Sequence, residues 1–248
     1  MRHFVLGLLA ALVVTSSARA GELLWQEDFN ATALSAAWIV REGCPAEASA
    51  EDWLCYSQAN VWVADGKLHL RQTPGLERPY DGAMISTYRH GYGWPAKDVR
   101  QAWKPPFVVE ARIRFSGADG FWQTFSANSV DLPAPTLEFD IAEMRGAKES
   151  YQFCALHQRP RHTRLGTSLP FNFATQYRRW WMYVTDSAVR YGVGMNVCGT
   201  TAIPNPGRIG IDFVAKSADP LRWRWAGIGG PLLDTAGYDV DWVRASRP

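Results

Sequence analysis

Three carboxylates fall within six residues of the segment Leu137-Glu138-Phe139-Asp140-Ile141-Ala142-Glu143, and only apolar side chains separate them. On an extended strand side chains alternate between faces, so Glu138 and Asp140 share one face while Leu137, Phe139 and Ile141 share the other. Strict alternation puts Ala142 on the acidic face; one extra residue, as in a β-bulge, returns Glu143 to it. Glu138 and Glu143 are then four strand rises apart, roughly 13 Å between Cα atoms. Side chains leaning inward from those points can bring the carboxyls to about 5–5.5 Å, the separation at which one carboxylate attacks a sugar while the other carries the proton. The plainer alternative is a half-exposed antiparallel strand whose acidic face is simply wet.

The elements that must position these acids read as strands punctuated by Gly, Pro, Asn and Asp. Leu24 to Phe29 opens the series, and Asn60 to Ala64 with Lys67 to Gln72 forms a hairpin across Asp65-Gly66. Ala83 to Thr87, Phe107 to Phe115 and Phe121 to Ala127 lead to the acidic strand near 136–143, and Tyr151 to His157 follows it. Further strands are expected at Trp180 to Thr185, Val189 to Met195, Arg208 to Ala215, Leu221 to Ile228 and Tyr238 to Ala245. No segment keeps a helical period. About a dozen short strands in one chain predict an all-β sandwich of two antiparallel sheets. Tyr92 to Pro106, with Trp94 and Trp103, shows no alternation and reads as a long loop. Its tryptophans either wall a cleft or seal the sandwich edge.

The chain of 248 residues carries twelve Trp and 13% aromatics, which suit both a sandwich core and sugar-stacking surfaces. The N-terminus reads as a secretory leader: Arg2 and His3, an apolar run from Phe4 to Val14, then Ala18-Arg19-Ala20 as a cleavage site. Residues 1–20 are therefore expected to be removed, leaving 21–248 as one domain without a membrane anchor. Losing Arg2 and Arg19 takes the charge of +2 to zero, which argues against nucleic acid as a partner. Export makes the four cysteines expected disulfide partners. Cys44 and Cys55 are the natural local pair, which would leave Cys154 with Cys198, although three pairings are open.

Taken together and in order, these segments resemble glycoside hydrolase family 16, in its bulged laminarinase, agarase and carrageenase form. Glu138 to Glu143 resembles the family's E-[ILF]-D-x-x-E signature, and Glu27-Asp28-Phe29-Asn30 its opening segment. Asn60 to Leu68 resembles its N-V-x-V-x-D-G-x-L hairpin, and Glu110-Ala111-Arg112-Ile113 its E-A-R-I segment. Gly120-Phe121-Trp122 and Val240-Asp241-Trp242-Val243-Arg244 resemble the start of its Trp-rich strand and its closing strand. Ser126 stands where the family usually has a second Trp, and Ala142 replaces the commoner Met in the bulge.

The resemblance implies a concanavalin A-like jelly roll with a concave carbohydrate cleft. It implies a secreted or periplasmic retaining endo-hydrolase of a β-1,3 or β-1,3-1,4 glucan, working as a monomer on a polysaccharide without a cofactor. Glu138 would be the nucleophile, Glu143 the acid/base and Asp140 the residue between them. His157 would hydrogen-bond Asp140; Trp122 is a candidate sugar-stacking platform and Arg112 a candidate contact for a ligand hydroxyl, each alternatively a core or rim residue, and Trp103 of the 92–106 loop is a candidate ligand contact in the cleft wall. Asp241 is a candidate for a structural calcium site, against the simpler reading of an exposed strand carboxylate. A galactan or bacterial exopolysaccharide is the alternative substrate. A lectin-like binding protein on the same sandwich is the alternative from another class.

Overall fold

Among the described residues, the segments whose apolar–polar alternation predicts strands form them. The computed structural model describes residues 21–44, 55–75, 80–89, 98–132, 137–146, 149–158, 161–217 and 236–248. Its strands are β1 (Leu23–Glu27), β2 (Ile39–Val40), β3 (Cys55–Tyr56), β4 (Val61–Ala64), β5 (Lys67–Pro74) and β6 (Tyr80–Ser86). There follow β7 (Tyr88–Arg89), β8 (Asp98–Val99), β9 (Phe107–Arg114), β10 (Phe121–Ser129), β11 (Leu137–Arg145) and β12 (Tyr151–Gln158). The last are β13 (Arg161–Ser168), β14 (Arg178–Val184), β15 (Ala188–Val193), β16 (Asn196–Ala202), β17 (Ile209–Ser217) and β18 (Ala236–Ser246). The leader, Trp94 and the strand expected at Leu221 to Ile228 lie outside the described residues.

The two layers are one continuous sheet folded over on itself as a jelly roll, antiparallel throughout except where the short β3 pairs with β6 in parallel. Its front half runs β13-β12-β11-β10-β17-β6 and its back half β5-β18-β9-β14-β15-β16, with a small separate sheet of β7 and β8. The halves join where Thr73 and Pro74 of β5 pair with Asp81 and Tyr80 of β6. The expected hairpin is present, with Asp65 and Gly66 both at positive φ (51° and 67°), as a primed two-residue turn needs. Between the layers lies the core, where Phe125 stacks on Phe213 at 4.9 Å and Phe139, Trp180, Tyr191 and Tyr238 are buried.

Six described strands are not among those expected: the two-residue β2, β3, β7 and β8, of which β8 lies in the segment 92–106 read as a loop, and the longer β13 and β16. β13 reads Arg161-His162-Thr163-Arg164-Leu165-Gly166-Thr167-Ser168, polar on both faces, and β16 is rich in Gly and Thr. Both are edge strands with a single paired neighbour in the ladder, so neither had to bury a regular apolar face.

Both cysteine pairs form as the local-pair reading expects, Cys44 with Cys55 and Cys154 with Cys198. The second is the structural one for the sandwich. Cys154 is on β12 of the front half and Cys198 on β16 of the back half, so the bond staples the open edge opposite the β5–β6 fold. It closes a 44-residue separation, for which chain entropy predicts a stabilisation of about 4 kcal/mol. Replacing both Cys154 and Cys198 by Ala is expected to lower the melting temperature by about 10 °C. An unchanged melting curve would show that the staple carries none of the sandwich's stability.

Candidate active site

The bulge required by the spacing of the acids is present. On the β12 side Asp140 pairs with Ala155 and Glu143 with Phe153, three steps on β11 against two on β12. On the β10 side Asp140 pairs with Ser126 and Ala142 with Phe125, two steps against one. Ile141 and Ala142 are both fully buried, so two successive residues turn into the core and Glu143 comes back to the open face. A bulge leaves a ladder carbonyl without its strand partner. Here the buried Gln152 of β12 supplies a donor, its Nε2 lying 2.8 Å from the Ile141 carbonyl oxygen.

The open face of the front half can be read as rows across the strands. One row runs Gly210, Asn128, Glu138, His157. The next runs Ser86, Asp212, Ser126, Asp140, Ala155, and the third Met84, Val214, Thr124, Glu143, Phe153. Asp140 thus stands between two small residues, Ser126 and Ala155, and is itself only 5% exposed. His157 Nε2 lies 2.8 Å from Asp140 Oδ2. Trp122 Nε1 donates to Glu143 Oε1 at 3.2 Å, and the Lys216 ammonium sits 4.0 Å from the centroid of the same ring. One face of Trp122 therefore carries a cation, which narrows its expected role as a sugar platform to the remainder of the ring.

Asp212 is a fourth carboxylate in this face, and sequence reasoning missed it. It is 3% exposed and accepts hydrogen bonds from the Ser126 and Tyr88 hydroxyls. Asn128 Nδ2 donates in turn to the Tyr88 hydroxyl at 2.7 Å. Gly210 makes room for this arrangement, since a Cβ there would meet Tyr88 Cδ1 at 2.6 Å. Ser126, the departure from the expected Trp, is the residue that reaches Asp212. The available signal was a lone Asp at an open-face position of an otherwise apolar strand, too common a pattern to single out.

Crowding these acids separates their proton affinities. Burial, then the Asp140 charge, pushes Glu143 up to about 8, with Glu138 adding to the rise and the Trp122 hydrogen bond opposing it. Asp212 is lifted to about 6 by burial and by Glu138, against the Ser126 and Tyr88 hydrogen bonds. Asp140 is raised by burial first, then by Glu138 and Asp212. At neutral pH the face therefore holds a protonated Glu143 beside Asp212, whose proton affinity is lower, and a held proton is what the acid step of an acid/base residue needs.

Three expected contacts lie elsewhere. Arg112 is on the solvent face of β9 in the back half, paired with Asp241 and lying 4.9 Å from the Tyr177 ring centroid. The apolar neighbours Ala111 and Ile113 take the core side, so Arg112 must point away from the acids. Asp241 is engaged by that guanidinium, and among the described residues no three His, Cys, Asp or Glu side chains gather as metal ligands. Trp103 is 5% exposed, bridges to Ile209 and packs on Trp25 and Phe107. It seals the sandwich rather than walling the cleft, because a ring this apolar is worth more inside the core than on a rim.

No family model matches the chain, and no curated protein matches it in sequence. Solved structures do match in shape. The endo-β-1,3-glucanase from Pyrococcus furiosus superposes with a TM-score of 0.77 at 17% identity, covering 91% of this chain and 94% of that one. The laminarinase catalytic domain from Thermotoga maritima gives 0.76 at 15% identity, over 92% and 98%. SCLam, a non-specific endo-β-1,3(4)-glucanase from family GH16, gives 0.75 at 16% identity, over 92% and 91%.

Two outcomes test this geometry. Gln152→Leu removes the donor from the bulge carbonyl and is expected to cost about 1–3 kcal/mol of stability together with a loss of whatever activity depends on Glu143. A variant as stable and as active as the parent would show that the bulge stands without its cap. The second concerns protons. A carboxyl raised from 4.5 to about 8 on folding contributes stability that is complete below its unfolded value and is lost as pH climbs through the folded one. Between pH 5 and pH 9 the parent is expected to lose at least about 3 °C more in melting temperature than Glu143→Gln. Parallel melting curves would mean that Glu143 holds no proton at neutral pH. With the acids and their partners placed, what the comparisons establish is the fold: this chain is built as the laminarinases are.

Proposed function

We propose that residues 21–248 form one catalytic domain, a retaining endo-glycoside hydrolase of a β-1,3 or β-1,3-1,4 glucan. The observation that carries this reading is the bulge in β11, which puts Glu143 on the same face as Glu138 and Asp140. The names of the similar structures, glucanases and laminarinases, support the substrate class.

In this mechanism Glu138 attacks the anomeric carbon as Glu143 gives its proton to the departing glycosidic oxygen, leaving a glycosyl ester on Glu138. The leaving chain departs as an alcohol. Glu143, now a carboxylate, takes a proton from water, which displaces Glu138 with net retention. The affinity of Glu143 for its proton suits the first step, and the raised pKa of Asp140 lets it lend or accept a proton beside the nucleophile as its charge changes. Two disulfides among the described residues fit folding in an oxidising compartment, which supports export to the periplasm or beyond.

Purified mature protein is expected to release new reducing ends from laminarin or lichenan. The rate is expected to fall as pH rises through about 8, where Glu143 loses its proton. Glu138→Gln should lower turnover on the order of 10³-fold or more. Cleavage of agarose or carrageenan alone would move the substrate to a galactan. Tight glycan binding with no product from any polysaccharide would replace the hydrolase with a lectin-like protein.

A further inference from the structure

The imidazole that contacts Asp140 is itself the end of a longer chain of hydrogen bonds. Arg164 Nε lies 2.7 Å from His162 Nε2, His162 Nδ1 lies 2.7 Å from His157 Nδ1, and His157 Nε2 lies 2.8 Å from Asp140 Oδ2. His157 and His162 are direct cross-strand partners on β12 and β13. Their ring centroids are 4.0 Å apart at 70°.

Only one member of this chain has no choice of role. A guanidinium nitrogen donates and never accepts, so His162 Nε2 must present its lone pair to Arg164. A neutral imidazole has one N–H, and for His162 it is then on Nδ1, aimed at His157 Nδ1. His157 must in turn accept there, which puts its own hydrogen on Nε2, facing Asp140. Charged alternatives break the chain. Protonated His162 would set an N–H against the Arg164 N–H. Protonated His157 would set an N–H against the Nδ1–H of His162, unless His162 lost both its hydrogens.

We propose that Arg164 and His162 are positioning residues that hold His157 neutral, in its Nε2–H tautomer, as a hydrogen-bond donor to Asp140. The groups facing His157 are Asp140, Glu138 and Glu143 from β11 and His162 and Arg164 from β13. Burial first, and the Arg164 charge after it, lower the proton affinity of His162, which agrees with a neutral ring accepting from Arg164. With Asp140 Oδ2 committed to the His157 N–H, any proton that Asp140 carries is placed on Oδ1. The catalytic significance rests on the proposed hydrolase; the tautomers do not.

The tautomers are read directly from two-bond proton–nitrogen correlations of the full-length mature protein labelled with ¹⁵N-histidine at neutral pH. His157 is expected to be protonated on Nε2 and His162 on Nδ1, and the reverse at either ring overturns the proposal. Arg164→Met removes the donor that starts the chain, so His162 should shift toward the Nε2–H form. With the best glucan substrate, kcat should fall about tenfold, the scale of one charge-assisted hydrogen bond, with KM changed less than twofold. Arg164→Lys, which keeps a cationic donor, should recover part of the loss. If Arg164→Met folds normally and leaves both tautomers and kcat as they were, Arg164 sets nothing. Should the parent cut no glycan at all, the hydrolase reading fails and the nitrogen shifts still decide this assignment.

Discussion

One surplus residue in β11 governs the whole open face. Without it Glu143 would enter the core, and the strand would show two acids and a wet edge. The register shift is seen from both neighbouring strands, so it belongs to β11 and not to a slip of one partner. Its cost is a carbonyl turned out of the ladder, and a buried glutamine answers that carbonyl from the core side. A polar side chain buried in an apolar layer is worth keeping only when it satisfies such a group. Gln152 is therefore as much a part of the site as the acids, although it faces away from them.

The back half reaches the same few residues through the core. Tyr238 Oη donates to the Thr124 carbonyl beside Glu143, and Tyr191 Oη to the Ala155 carbonyl beside Asp140. The Cys154–Cys198 bond fastens β12 to β16 along the open edge. These links tie the two strands flanking the acids to the layer behind them. A site whose proton affinities depend on neighbouring carboxylates requires such rigidity, because electrostatic coupling falls as charges separate.

Placing four acids on one face is unfavourable unless each finds donors or keeps a proton. The fold uses both solutions. Asp212 has three donor side chains around it, Asp140 has His157, and Glu143 has the Trp122 N–H and a proton of its own. Lys216 and Arg145 add positive charge on the Glu143 side, the first over Trp122 and the second over Phe153. The resulting spread of affinities is a property of the arrangement and of no single residue.

Much of this was legible in the chain itself. Period-two patterning marked the central strands, because strands that bury one face must alternate, and Asp65-Gly66 announced its turn by the positive φ it requires. The triplet of acids was visible, and so was the need for a bulge, since counting residues reveals parity. Sequence could not say which distant strands would lie beside β11. Asp212 and Tyr88 come to Asp140 and Glu138 from sequence positions some seventy and fifty residues away, and Arg112, whose segment looked right, faces solvent on the other layer. His162 and Arg164 sit on an edge strand with no apolar period to betray it. Local pattern determines which face a side chain takes; only the order in which strands pair decides what stands opposite, because that order is set by burial summed over the whole core.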